Sequence, residues 1–247
     1  MDHTAFIEHS NEMYSQCLPH VSIDCVIFGF DRQHIKVLLL RTKNQDLWGL
    51  PGGYVLKTES TDDAAHRVLH DRTGVKDIYL QQFATFGATH RSESFFASFP
   101  NDLWHKQRFV SIGYFALVNY AEVIPFPDSF SDACEWCDVQ DLPPLMMDHR
   151  VIIDRALDSL RKQINYEPIG INLLGEKFTM PELQKLYEII LGKTLNRGNF
   201  YRKIIRFDIL EKLDESRKGG AHKSPILYRF DAEKYTAALA TGLQGDW

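Results

Sequence analysis

The sequence predicts an α/β protein in two parts: a sandwich of helices on a mixed sheet, then a small helix–helix–hairpin domain. Three observations predict it. Short runs rich in β-branched residues alternate with helical periodicities over the first two thirds of the chain. Two closely spaced amphipathic helices and a basic hairpin follow. The charge balance also changes sign along the chain. Residues 1–174 carry 15 Lys and Arg against 23 Asp and Glu, whereas residues 175–230 carry 12 against 7. An acidic body joined to a basic piece points to a sensing part coupled to a reader of polyanions.

The 247 residues allow one large domain or two modest ones. The expected divisions are a partly ordered lead-in over 1–20, a first domain over 21–165 and a second over 166–247. Residues 21–30 and 34–42 read as a hairpin around Asp31-Arg32-Gln33. Pro51-Gly52-Gly53 then forces a loop with unusual backbone angles. Residues 61–73 read as a helix with Thr61 as cap, Asp62 and Asp63 in its first turn, and Gly74 closing it. Strands are expected over 78–86 and 109–120, the second placing Val110, Ile112, Tyr114, Ala116 and Val118 on one face. Between them lies a long loop, 90–108, carrying Phe95, Phe96, Phe99 and Trp104. Loops of this length are often functional, although its aromatic residues could equally fold it back on the body. An amphipathic helix over 148–162 and the turn-rich YEPIGINLLGE end the first part.

Several classes are excluded. No apolar run approaches the roughly 20 residues of a membrane helix, and the N-terminus lacks the pattern of a signal peptide, so the expectation is a cytoplasmic protein. Cys134 and Cys137 form a single C-x-x-C, short of the four ligands of a structural zinc site. They read, with Cys17 and Cys25, as free thiols. No metal and no cofactor is expected.

Residues 53–75 carry a recognisable spacing, G-x5-E-x7-R-x-U-x4-G-U, with U apolar, filled by Gly53, Glu59, Arg67, Leu69, Gly74 and Val75. This stretch resembles the Nudix box, and 21–162 resembles a Nudix domain, an α/β/α sandwich. The resemblance implies that Glu59 and Arg67 brace the loop against the helix. It also marks where three glutamates would bind Mg²⁺ for diphosphate hydrolysis. Those positions here hold Val68, Asp71 and Arg72. Mg²⁺ requires oxygen ligands. Val68 offers none, Arg72 repels a divalent ion, and Asp71 alone reaches too short. The expectation is a non-enzymatic scaffold with a small-molecule pocket, for which Arg41, Gly52, Gly53, Arg72 and Arg91 are candidate ligand-binding residues. A residual hydrolase acting on ADP-ribose-type diphosphates is the alternative.

In the second part, Thr179 and Glu182 form a capping box with Pro181 near the helix start, and Leu183, Leu186, Tyr187 and Ile190 follow at helical spacing. Gly192 ends that helix and Asn196 caps a second, running to about 207. Phe200, Ile204 and Phe207 share one side of it; Asn199, Arg202, Lys203 and Arg206 share another. One face docks on the domain while the other offers donors, as a DNA recognition helix requires. The strands around RKGGAHKS complete a winged-helix arrangement. Arg197, Arg217, Lys218, His222 and Lys223 join the candidate DNA contacts. Across its length, in DDAAHRVLHDRTGV, VSIGYFALV, EPIGINLL, FTMPELQKLYEIILG, NRGNFYRKI and LYRF, the chain is similar to the NrtR family of Nudix-related transcriptional regulators. That resemblance implies a homodimeric DNA-binding regulator, a repressor by expectation. Its partners would be a double-stranded operator and an effector such as a pentose, a sugar phosphate or ADP-ribose, with wording closer to the sugar-catabolism branch. The stretch THRSESFFASFPNDLWHKQ departs from the family, where a shorter R-D-P-like turn is expected.

Overall fold

The computed structural model describes residues 3–43, 45–74, 79–164, 167, 170–216 and 225–241. The chain divides into two compact units. The first comprises Met1–Gly29, Lys36–Val118 and Glu122–Ala156, and the second Phe30–Ile35, Asn119–Ala121 and Leu157–Trp247. No helix among the described residues is long and apolar enough to cross a membrane.

The first unit is built on a seven-stranded mixed sheet. It contains β1 (Cys17–Phe30), β2 (Ile35–Thr42), β3 (Trp48–Gly49), β4 (Gly52–Leu56), β5 (Tyr79–Phe86), β6 (Val110–Val118) and β7 (Ser131–Asp138). The order is β3-β2-β1-β6-β5, with β4 added to β1 and β7 to β2. β1 and β6 run parallel in unbroken register from Val21↔Val110 to Gly29↔Val118. The expected alternation on β6 holds: Ile112, Tyr114, Ala116 and Val118 face a core shared with Ala64, Ala65, Val68 and Leu69. Its other face is buried too, through Phe115 and Leu117, as befits a parallel-paired central strand. The 131–138 strand escapes sequence reading because SDACEWCD alternates poorly; its cysteines are free.

Helix α2 (Thr61–Thr73) packs on β4 and β6. Its cap is Ser60 rather than the expected Thr61: Ser60 and Asp63 form a reciprocal capping box one residue earlier. Gly74 closes it at φ 69°, a conformation a side chain resists. Val75 lies outside the described residues. The lead-in contains a helix, α1 (His3–Gln16), that continues directly into β1. Helix α3 (His149–Gln163) ends the sandwich part.

The second unit holds β8 (Phe178–Thr179), α4 (Met180–Leu191), α5 (Arg197–Arg206), β9 (Leu210–Ser216), β10 (Ile226–Phe230) and α6 (Ala232–Thr241). The strands form a small antiparallel sheet ordered β8-β10-β9. The Thr179/Glu182 capping box and the Gly192 terminus (φ 66°) form as the sequence expects, and Asn196 caps α5 through the Asn199 amide. Leu183, Leu186, Ile190, Phe200, Ile204, Ile209 and Leu227 fill the core.

Candidate functional site

A cavity of about 460 Å³ opens in the first unit. Its floor is sheet and loop: Ser22, Ile23 and Asp24 of β1, Gly49 and Leu50, and Gly52, Gly53 and Tyr54 of β4. The expected loop of unusual backbone angles is not what these glycines serve: Gly52 and Gly53 open strand β4 without positive φ, and close approach dictates them instead. A Cβ on Gly52 would meet the Ile23 carbonyl at 2.9 Å and Asp24 Oδ1 at 3.1 Å, and one on Gly53 would meet Val68 Cγ2 at 3.0 Å.

The polar end is a buried charge cluster. Arg91, whose side chain is 5% exposed, donates from Nε and Nη2 to both oxygens of Asp148 (2.9 and 2.8 Å) and from Nη2 to Asp24 (3.1 Å). Asp24 also accepts from Ser111 Oγ at 2.6 Å. His149 accepts the Leu50 amide proton at Nδ1 (2.9 Å) and turns Nε2 toward Asp24 at 3.8 Å. Burial lowers the pKa of His149. Buried ions persist only when paired this fully.

The brace stands beside it. Arg67 donates to both oxygens of Glu59 (3.0 and 2.6 Å) and to the Tyr54 carbonyl (2.9 Å), while Glu59 accepts the Leu56 amide (2.9 Å). The Arg67 guanidinium holds the Glu59 carboxyl below its usual range. Arg72 reaches the cavity with Nη2 3.4 Å from Asp128, and its Nε is buried without a partner.

The opposite end is aromatic. Helix α1 supplies Phe6, His9 and Met13; the 90–109 segment supplies Phe95, Phe96, His105 and Phe109; Phe130 completes the wall. Phe6 lies 4.9 Å from Phe99, 5.6 Å from Phe130 and 4.5 Å from the His105 ring. Burial pushes the His105 pKa down to about 3, so this end carries no charge from His105 near neutrality. Behind it, fully buried Trp104 packs edge-on against Tyr54 and Phe109, and its amide donates to Ser10 Oγ of α1. Both readings of the long loop therefore apply: it folds back on the body, and in doing so it walls the cavity.

Of the five candidate ligand residues, Gly52, Gly53, Arg72 and Arg91 line the cavity. Arg41 does not. Its guanidinium lies 2.7 Å from Asp132 and 5.8 Å from the Trp48 ring centre.

In the second unit, Phe200 and Ile204 anchor α5, and Phe207 is half-buried. Arg197, Asn199, Arg202 and Arg206 are exposed, with Arg202 held to Asn199 Oδ1 at 2.6 Å. Lys203 is half-buried with its ammonium 5.9 Å from the Phe207 ring centre; burial and the Lys193 charge lower its pKa to about 8. The hairpin tip with Arg217, Lys218, His222 and Lys223 lies outside the described residues.

Two family models match the chain: the NUDIX domain over residues 18–156 and the NrtR DNA-binding winged helix domain over 170–230. An ADPR responsive transcriptional repressor from Acinetobacter baylyi is 31% identical over 224 residues, covering 88% of this chain and 84% of its own. The chain belongs to the NrtR family of Nudix-related transcriptional regulators. The crystal structure of Shewanella oneidensis NrtR matches with a TM-score of 0.72 at 29% identity, over 88% of this chain and 96% of that one. The same NrtR complexed with a 27mer DNA gives 0.72 over 87% and 95%.

The chain does not fit the magnesium chemistry of hydrolytic Nudix domains. Val68 is 3% exposed inside the core cluster, Asp71 is exposed and outside the cavity lining, and Arg72 brings a cation. Asp24, Asp148, His149, Phe6, His9 and His105 were missed by sequence reasoning. One signal existed for Asp24: a lone carboxylate inside the apolar run VSIDCVIFGF is costly to bury unless paired. For the others, the partners that place them at the cavity lie 57 to 125 positions away, and no local pattern marks them.

Proposed function

We propose that this member of the family is a repressor that binds operator DNA through α5 and the hairpin, and that its Nudix domain holds an effector without hydrolysing it. One observation carries the sensing half. The Glu59–Arg67 brace is intact around an open cavity, while two of the three carboxylate positions are filled by a core valine and an arginine paired to Asp128, and the third, Asp71, lies outside the cavity lining. A scaffold kept without its metal ligands suits binding rather than turnover.

The 31% identical repressor named as ADPR responsive supports ADP-ribose as effector. A second reading, an unphosphorylated pentose of the sugar-catabolism branch, is favoured by one feature of the cavity. Each arginine lining it already holds a carboxylate: Arg67 with Glu59, Arg72 with Asp128, Arg91 with Asp24 and Asp148. That leaves little free positive charge for a diphosphate.

The test is calorimetry of the full chain with ADP-ribose and with arabinose, with Mg²⁺ present, alongside product analysis and gel shifts on DNA from upstream of the chain's own gene. The expected outcome is saturable binding of one ligand, no released product, and a changed gel shift on its addition. The shift should weaken with salt by a logarithmic slope of about 0.9 per phosphate contacted. Turnover of ADP-ribose would defeat the sensor reading, and absence of any shift at low salt would defeat the DNA reading.

A further inference from the structure

Helix α5 presents more than its arginines. A helix advances about 100° per residue, so Gly198, Arg202 and Ile205, at i, i+4 and i+7, fall within about 60° of one another. That ridge lies opposite the buried seam of Phe200 and Ile204. It is the outermost line of the helix, with Arg206 and Asn199 beside it. Its two non-basic members are not the residues that an exposed helical position favours.

Ile205 is 41% exposed. A β-branched residue this exposed gains less from packing than a core residue does and still loses rotamer freedom. Gly198 is exposed within the first turn, and a Cβ there would find only Asn196 Oδ1, at an ordinary 3.5 Å. The fold would therefore accept alanine, which favours a helix more than glycine does. An absent side chain on an outward ridge serves something that comes close from outside.

We propose that the Gly198–Arg202–Ile205 ridge is the base-reading edge of the winged helix, and that Ile205 packs against the C5-methyl group of a thymine while Gly198 allows the helix to seat deeply in the major groove. The inference rests on the DNA-binding reading above. The thymine methyl is the one apolar group on the major-groove edges of the four bases, and an aliphatic side chain is its natural partner. Arg202 on the ridge and Arg206 beside it supply the charge complementarity that selects DNA over an apolar partner. The helix length fits: the seven residue steps from Gly198 to Ile205 cover about 10 Å of groove.

The experiment begins by selecting duplexes from a random pool with the full chain. In the selected duplex each thymine is then replaced by deoxyuridine, which removes the methyl and nothing else. The expected result is that one position per half-site weakens wild-type binding by about fourfold, the worth of one buried methyl. Ile205→Ala should bind the thymine duplex more weakly by a similar factor and be blind to the same replacement. Gly198→Ala should melt no lower than the wild type yet bind more weakly. Because the deoxyuridine series uses the unaltered protein, a poorly folded variant cannot obscure it. Thymine and deoxyuridine duplexes binding alike at every position would overturn the proposal, as would methyl sensitivity surviving in Ile205→Ala. Failure to select any duplex would instead remove the DNA-binding reading beneath it.

Discussion

At Arg67, three hydrogen bonds converge from one guanidinium: two on Glu59 and one on the Tyr54 carbonyl. The residue ties α2 to β4 and to the turn between them, so it is structural although it lines the cavity. Arg67→Ala would strand the Glu59 carboxylate, whose side chain is 13% exposed. Removing one partner of a buried pair costs several kcal/mol; with Arg67 itself a third exposed, about 2 kcal/mol is expected. Urea unfolding of the first unit would measure it, and an unchanged midpoint would show that the brace does not bear on stability. This pair was legible in the sequence because its spacing is fixed by a loop and one helix. The Arg91 cluster was legible only in part. Arg91 could be named as a pocket residue, but Asp24, Ser111 and Asp148 come from three remote segments that only the sheet assembles. The same limit misplaced Arg41, whose strand position suggested the pocket and whose side chain turns to Asp132 instead.

Among the elements, those with their own start and stop signals were read well. Helix α4 has a capping box and a terminal glycine, α5 has Asn196, and β1, β2 and β6 have clear apolar runs. Helix α1 has neither kind of signal: its sequence, HTAFIEHSNEMYSQ, lacks acidic residues in the first turn and basic ones in the last, and isolated helices of this length are marginal. Tertiary contacts hold it, chiefly Phe6 in its aromatic nest and Ser10 on the Trp104 amide. Phe6→Ala is therefore expected to undock α1 locally, at a cost of about 3 kcal/mol, without unfolding the sheet. Amide exchange should speed up across residues 3–16 while β1 and β6 stay protected, and effector binding should weaken. Unchanged exchange there would show that the nest does not secure the helix.

For the molecule as a whole, the two buried histidines and Glu59 pull stability in one direction with pH. His105 and His149 are held below the 6.5 of a free imidazole, chiefly by burial. Between that value and about 3, where His105 finally titrates, the unfolded chain takes up protons that the folded chain refuses. Stability therefore falls as acid is added. Glu59, lowered from 4.5 mainly by its bond to Arg67, adds a loss of the same sign as the pH drops through its unfolded and then its folded value. Melting of the first unit is expected to decline steadily from pH 7 toward pH 4, and His105→Phe should flatten the upper part of that decline. A melting point indifferent to pH between 7 and 5 would contradict the burial of both rings.

The N-terminal origin of the aromatic wall has a practical consequence. The span matched by the NUDIX model begins at residue 18, yet Phe6, His9, Met13 and Cys17 all border the cavity. A truncation guided by domain boundaries would leave a tidy sandwich with its ligand chamber open along one side. An affinity tag fused upstream of α1 would hang beside the same opening. Titrations on either preparation would report on a different receptor from the one that the chain with α1 in place makes.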